Sequence, residues 1–202
     1  MYEDLIKTFA QKNIEIIPVK DSEEACNKIL EKIPLKSKVG HGGSATLKDI
    51  GILDKIRIKD YIFYDRTKIE KYTPDFNELN LKAQHADYYL SGSNAVTKDG
   101  KIVNKDRTGN RVSSLIFGPK NVIIVVGKNK LVDNLEKALE RIENIAAPMN
   151  AKRIGAKTPC TTTGKCSDCF SPERLCCYTV TIDRQFKPDR MTIILINEDL
   201  GY

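Results

Sequence analysis

Apolar and polar positions along the chain switch repeatedly between a two-residue and a 3.6-residue period. Asn13-Ile-Glu-Ile-Ile-Pro-Val reads as a short strand and Tyr61-Ile-Phe-Tyr as another. Between them Asp21 to Glu24 has the form of a capping box, and Ala25, Ile29, Leu30 and Ile33 follow at helical spacing until Pro34 stops the run. Lys120 to Gly127 is a β-branched run bounded by Pro119 and Gly127, which predicts a strand buried on both faces, central to a parallel sheet. From Leu131, the residues Leu135, Ala138, Leu139, Ile142 and Ile145 fall on one helical face, predicting a helix that covers the sheet and ends at Pro148. Between Asn94 and Asn104 the pattern is that of a hairpin, with Asp99-Gly100 supplying a tight turn. Tyr178 to Ile182 and Met191 to Ile196 read as the last two strands. Alternating elements at this spacing predict a three-layer α/β fold.

A chain of 202 residues fits a single domain, here with a cysteine-rich segment at 158–177 as its small appendage. With 41% hydrophobic and 30% charged residues it is expected to fold rather than remain disordered. The first residues mix acidic and basic side chains where a signal peptide needs an apolar stretch. No run of 18 apolar residues occurs, so the expectation is a cytoplasmic protein with no membrane span. The net charge is +6, but Lys and Arg are interleaved with Asp and Glu, which predicts a solvated surface and no nucleic-acid face.

Two segments carry candidate ligand chemistry. In Lys38-Val-Gly-His-Gly-Gly-Ser-Ala-Thr-Leu47 a strand passes through Gly40, Gly42 and Gly43 to Ser44, a good N-cap for a helix running to Ile50. Converging backbone N–H groups, with the Ser44 and Thr46 hydroxyls, suit a small anionic substrate, either a carboxylate or a phosphate. The plain alternative is a glycine-rich turn that binds nothing; the sequence is neither a Walker A motif nor GxGxxG. His41 in this loop is a candidate general base or oxyanion donor, against the alternative of a partly exposed loop histidine. His85 has a surface role near a helix end. The second segment, Ala86 to Thr97, reads as a strand ending in small polar residues. Ligands in open α/β sheets gather at strand ends, so Asn94, Thr97, Asn110 and Arg111 are candidate contacts, against ordinary turn residues and a helix-surface charge.

Six cysteines in a cytosolic chain point to metal binding or thiol chemistry, and five lie between Cys160 and Cys177. Cys26 is expected in the core. The order Cys160-x5-Cys166-x2-Cys169 lies close to a plant-type ferredoxin spacing without matching it, and an iron–sulfur cluster needs such thiolates. Zinc usually takes two Cys-x-x-Cys knuckles, of which one is visible; a redox pair Cys166/Cys169 and unligated thiols are the other readings. Spacing leaves open whether Cys176 or Cys177 would be the fourth ligand.

Several motifs occur in a fixed order: Val39-Gly-x-Gly-Gly-Ser-x-Thr-Leu47, Ala86-Asp-Tyr-x-Leu90, Gly92-x-Asn-Ala-x-Thr-x-Asp-Gly100, Thr108-Gly-Asn-Arg111, Phe117-Gly-Pro119, Val125-Val-Gly-x-Asn-Lys130, Ala146-Ala-Pro-x-Asn-Ala-x-Arg153, the stretch from Thr158 to Cys176, and Glu198-x-Leu-Gly201. This set, spanning nearly the whole chain, resembles the LUD-domain (lactate utilisation) family, in its short stand-alone form with a C-terminal cysteine motif. The resemblance implies a Rossmann-like sheet related to ribose-phosphate isomerases and CoA transferases, with the Gly40 loop and the Asn94 region facing one pocket. It favours Cys176 as the fourth metal ligand beside Cys160, Cys166 and Cys169. It also implies oxidation of a small hydroxy acid such as L-lactate to pyruvate, with a cysteine-bound iron–sulfur (4Fe–4S) centre, redox partner proteins and room for a homo-oligomer. Two other readings stay open: a metal-independent enzyme acting on a phosphorylated or CoA-linked small molecule, and a non-enzymatic scaffold stabilised by zinc. No Ser or Cys has an adjacent base by motif, so no nucleophile is assigned.

Overall fold

The computed structural model describes residues 2–202. Its elements run α1 (Glu3–Ala10), β1 (Ile14–Val19), α2 (Ser22–Lys32), β2 (Lys38–His41), α3 (Ala45–Asp49), α4 (Ile52–Arg57), β3 (Ile62–Tyr64), α5 (Pro74–Gln84), β4 (Tyr88–Gly92), β5 (Ala95–Thr97), β6 (Ile102–Asp106), α6 (Asn110–Ile116), β7 (Asn121–Gly127), β8 (Leu131–Val132), α7 (Leu135–Arg141), α8 (Ala147–Ile154), α9 (Cys160–Thr163), β9 (Tyr178–Ile182) and β10 (Met191–Ile196). Helix starts follow the local chemistry. The Asp21 carboxylate accepts from Glu24 N, Ser44 Oγ from Leu47 N and Asn134 Oδ1 from Lys137 N, each satisfying an otherwise orphaned amide.

Six strands form one parallel sheet in the order β1-β10-β7-β4-β2-β3. The β-branched run β7 lies inside it, flanked by β10 and β4, as its uniform apolarity predicts. Alternate residues of each strand serve opposite faces. Val122, Ile124, Val126, Ile193 and Leu195 pack with Leu5 and Phe9 of α1 and Leu115 of α6, whereas Ile123, Val125, Ile194 and Ile196 pack with Ala25, Cys26 and Ile29 of α2 and with Leu47, Ile52 and Ile56 of α3 and α4. The result is the expected three-layer α/β architecture. Cys26 is buried in it, as expected, and its thiol donates to Ile50 O.

A second sheet, in the order β8-β5-β6-β9, stands beside the first, with β5 and β6 joined as the Asp-Gly hairpin. Three expectations for the helix beyond β7 are corrected here. Leu131 belongs to β8, so the helix starts at Leu135, and it covers the second sheet, where Ala138 and Ile142 pack on Ala95 and Val103. Nor does Pro148 end it. Residues Ile142–Ala146 form a π turn in which Ala147 N donates to Ile142 O, and α8 then carries Pro148 in its first turn, where a missing N–H is tolerated. No helix among the described residues is long and apolar enough to cross a membrane.

Candidate functional site

Parallel strands place their C-terminal ends on one edge, and there β2 ends in the glycine loop, β4 in Gly92-Ser93-Asn94 and β7 in the turn carrying Lys130. These ends border a cavity of about 560 Å³. Of the residues expected to contact a ligand, Gly42, Gly43, Ser44, Asn94, Asn110 and Arg111 line it, whereas Gly40, Thr46 and Thr97 do not. Gly40 serves packing: a Cβ there would lie 2.7 Å from Ala83 Cβ, so its lack of a side chain lets α5 close on β2. Thr97 is buried within its hairpin, where its hydroxyl accepts from Lys101 N at 2.8 Å. Thr46 sits one layer back, its hydroxyl accepting from Lys130 Nζ at 2.7 Å.

The glycine loop departs in detail from the anion cradle expected of it. The Gly42 N–H donates to Leu90 O, leaving the Gly43 and Ser44 amides as the loop's donors without an internal acceptor. Helix α3 is only five residues long and contributes little dipole. Positive charge comes from side chains instead. Arg111 is held as a hub, donating to Gly92 O, Asn104 Oδ1, Asn94 Oδ1 and Lys105 O while Nε stands 3.3 Å from Asp106. It shapes the wall, and its hydrogen-bonding capacity is spent within the protein. Buried Arg141 reaches across from α7 to donate to Asn94 O and Asn129 O, fixing the β4 end against the Lys130 turn.

Lys130 is the residue that the candidate set lacked. It is 3% exposed, lines the cavity and, among the described residues, has no carboxylate partner. Burial, reinforced by the positive charges of Arg141 and Arg111, presses its ammonium down to about 7. Its position at the C-terminal end of the central strand was the available sequence signal. The chain's last residues close over it: Gly201, at φ +60, places its backbone so that a Cβ would meet Thr46 Oγ1 at 2.6 Å and Lys130 Nζ at 3.1 Å.

His41 is 2% exposed at the end of β2, which corrects the partly exposed loop alternative. Its ring stacks on Phe63, Nδ1 lies 3.0 Å from Gly42 O and Nε2 faces Asp65 at 3.6 Å. Burial alone would raise the Asp65 carboxyl, but His41 beside it and hydrogen bonds from Arg57 and Thr67 hold it well below the usual carboxylate range. His85 caps the C-terminus of α5.

The cysteine segment forms a loop against α8. Cys160, Cys166, Cys169 and Cys176 all line one small apolar pocket of about 20 Å³, walled by Ala147, Ala151 and Leu175. Cys177 is exposed and lies outside it, so the geometry separates the two neighbours that spacing could not. Arg174 ties the loop together by donating to Cys169 O at 2.7 Å, Cys176 O at 3.1 Å and Asp168 at 2.6 Å. Burial and the nearby Cys166 push the Cys176 thiol up to about 11. Among the described residues no three Cys, His, Asp or Glu side chains stand close enough to share one metal ion. Leu175 lines both this pocket and the large cavity.

Fold and site together define an α/β protein with a cavity lined by lysine and arginine side chains at the carboxyl edge of a parallel sheet and a cysteine loop beside it. The LUD domain profile matches residues 2–196, and the chain belongs to that family, which is associated with lactate utilisation. A DUF162 family protein from Deinococcus radiodurans aligns over 96% of this chain and 94% of its own at 13% identity, with a TM-score of 0.56, a likeness of fold. A D-ribose-5-phosphate isomerase in complex with phospho-erythronic acid aligns over 56% of this chain and 54% of its own, at 18% identity and a TM-score of 0.36. Ribose 5-phosphate isomerase A from Neisseria gonorrhoeae aligns over the same shares at 14% identity and a TM-score of 0.35. No curated protein matches the chain.

Proposed function

We propose that the protein takes part in oxidation of a small 2-hydroxy acid bound in the large cavity, with Cys160, Cys166, Cys169 and Cys176 holding an iron–sulfur centre. The observation that carries this reading is Leu175, which lines both the cationic cavity and the small pocket that Cys160, Cys166, Cys169 and Cys176 also line. The donor set fits such a centre. Four sulfurs face one apolar space, and the high affinity of the buried Cys176 sulfur for its proton marks a place where a bare thiolate is poorly supported and a cationic centre would offset the charge. A cluster is larger than this pocket of about 20 Å³, so holding one would require the loop to spread about its anchors, Arg174 and the Cys166 N–H bond to Glu143 O.

Oxidation of the alcohol carbon releases two electrons and two protons; a cluster held by these cysteines would pass both electrons on singly, in two successive transfers, to a redox partner protein, and the carbon-bound proton would leave to solvent through the open cavity. The chain's own groups hold and deprotonate the substrate: the Gly43 and Ser44 amides face the carboxylate, and Lys130, in part uncharged near neutral pH, takes the hydroxyl proton. The test is anaerobic purification with iron and acid-labile sulfide analysis of the wild type, Cys166→Ser and Cys177→Ser. Iron and sulfide are expected in the wild type and in Cys177→Ser, and to be lost in Cys166→Ser. A wild type without iron, or a Cys166→Ser variant with undiminished iron, sinks the assignment.

A further inference from the structure

The cavity is far more positive than a monocarboxylate requires. Nine lysine and arginine side chains line it against two aspartates. Arg57 is paired with Asp54 and Asp65, Lys105 with Glu143 and Arg111 with Asp106. Lys48, Arg66, Lys71, Arg107, Lys130 and Arg153 have no carboxylate partner among the described residues, and a ligand of one negative charge leaves most of that field uncompensated.

Arg66 is the clearest case. It follows the short β3 strand and lines the cavity, with its guanidinium carbon 4.7 Å over the Phe76 ring. Stacking fixes the plane of the group while leaving its N–H edges free, and among the described residues none of those donors meets an acceptor. The group is half-buried, and its unpaired N–H edges are not sealed from solvent but remain available to a ligand in the cavity. Arg107 is presented in the same way, 4.9 Å over the Tyr72 ring, with one N–H on the Tyr72 hydroxyl. Lys71 is held below its ordinary value by burial and by the charges of Arg153 and Arg66, which places the three cations in one region, with Asp106 the carboxylate that acts on Arg66.

We propose that Arg66, with Lys71 and Arg153, forms a phosphate subsite of the cavity, so that the substrate is a phosphorylated hydroxy acid and not a bare one. This rests on the hydroxy-acid reading above and narrows it to one chemical class. A phosphate monoester brings about −1.5 to −2 charges at neutral pH and three acceptor oxygens, which match a fixed guanidinium fork flanked by two further cations. Its carboxylate end remains for the Gly43 and Ser44 amides and Lys130.

Calorimetric titration of the holoprotein with L-lactate, 3-phosphoglycerate (a 2-hydroxy acid carrying a phosphate) and inorganic pyrophosphate tests this, on the wild type, Arg66→Met and Arg66→Lys. Arg66 makes no hydrogen bond that its loss would break, so both variants are expected to fold, which thermal melting checks. Expected is binding of 3-phosphoglycerate about tenfold or more tighter than L-lactate, a preference lost in Arg66→Met, partly kept in Arg66→Lys, and accompanied by unchanged lactate affinity. Equal affinity for the two acids, or a preference that survives in Arg66→Met, overturns the subsite. Pyrophosphate that binds through Arg66 while neither hydroxy acid binds keeps the phosphate subsite and removes the hydroxy-acid reading, so the two fail separately.

Discussion

At the scale of single residues, a buried amine decides how the site responds to pH. Lys130 has a folded value of about 7 against an ordinary value of 10.5. Between those limits the unfolded chain binds the extra proton and the folded protein does not, so this group's contribution to stability rises with pH from about 7 towards 10.5. Below that window the fold carries the full penalty of burying a charge. Lys130→Met, which keeps the volume and removes the charge, is expected to raise the melting temperature at pH 7 and to lose most of that gain by pH 10, as thermal melting at the two pH values will read. In the wild type, turnover of the hydroxy acid is expected to climb through pH 7 as the amine becomes free, and to be abolished in the same variant. How much was legible differs from residue to residue. Gly42, Gly43 and Ser44, read from the glycine-rich loop, and Asn94, Asn110 and Arg111, read from strand-end position, border the cavity. Lys130 and Arg66 were missed because an isolated Lys or Arg in a charged sequence looks like any other surface charge, and only the fold shows that these lack partners. Gly40 and Thr97 were over-read for a related reason: a small or polar residue beside a motif serves packing or a turn as readily as a ligand.

At the scale of elements, the uniform apolar runs of β7 and β10 specified the parallel sheet, since strands buried on both faces belong in its interior. The helix after Asn134 was harder to read. Its apolar stripe continues across Pro148 only because a π turn absorbs the missing donor, and no local pattern announces that. The turn has a further effect. Ala147 N bonds Ile142 O, and Pro148 has no N–H to offer, so Glu143 O is left over from the helical ladder and accepts from Cys166 N at 3.0 Å. An irregularity in one helix thereby supplies the dock for the cysteine loop. Pro148→Ala restores a donor and favours a regular α-helix, in which Ala147 N takes Glu143 O. The expected outcome is a helix at least as stable, with faster hydrogen exchange at the Cys166 amide and lower iron content in anaerobic preparations. Unaltered exchange at Cys166 would show that the Glu143 carbonyl is not what holds the loop.

At the scale of the whole molecule, layer order and strand direction put unrelated segments side by side: the ends of β2, β4 and β7, the chain around Arg66, α8 and the final residues all meet at one edge of the sheet. Periodicity foretold the layers, but not the depth of the cavity or the sign of its lining, because the charges come from loops whose course is set by tertiary packing. The shared position of Leu175 makes this arrangement more than proximity. On the proposed assignment, a centre in the sulfur-lined chamber would lean on the same methyl groups that bound the larger chamber, so the two occupants would feel one another through a common partition. Thermodynamic linkage then requires the influence to run equally in both directions. Removing iron should alter affinity for the hydroxy acid by the same factor by which the acid alters the retention of iron, and shaving the partition in Leu175→Ala should bring that factor towards one.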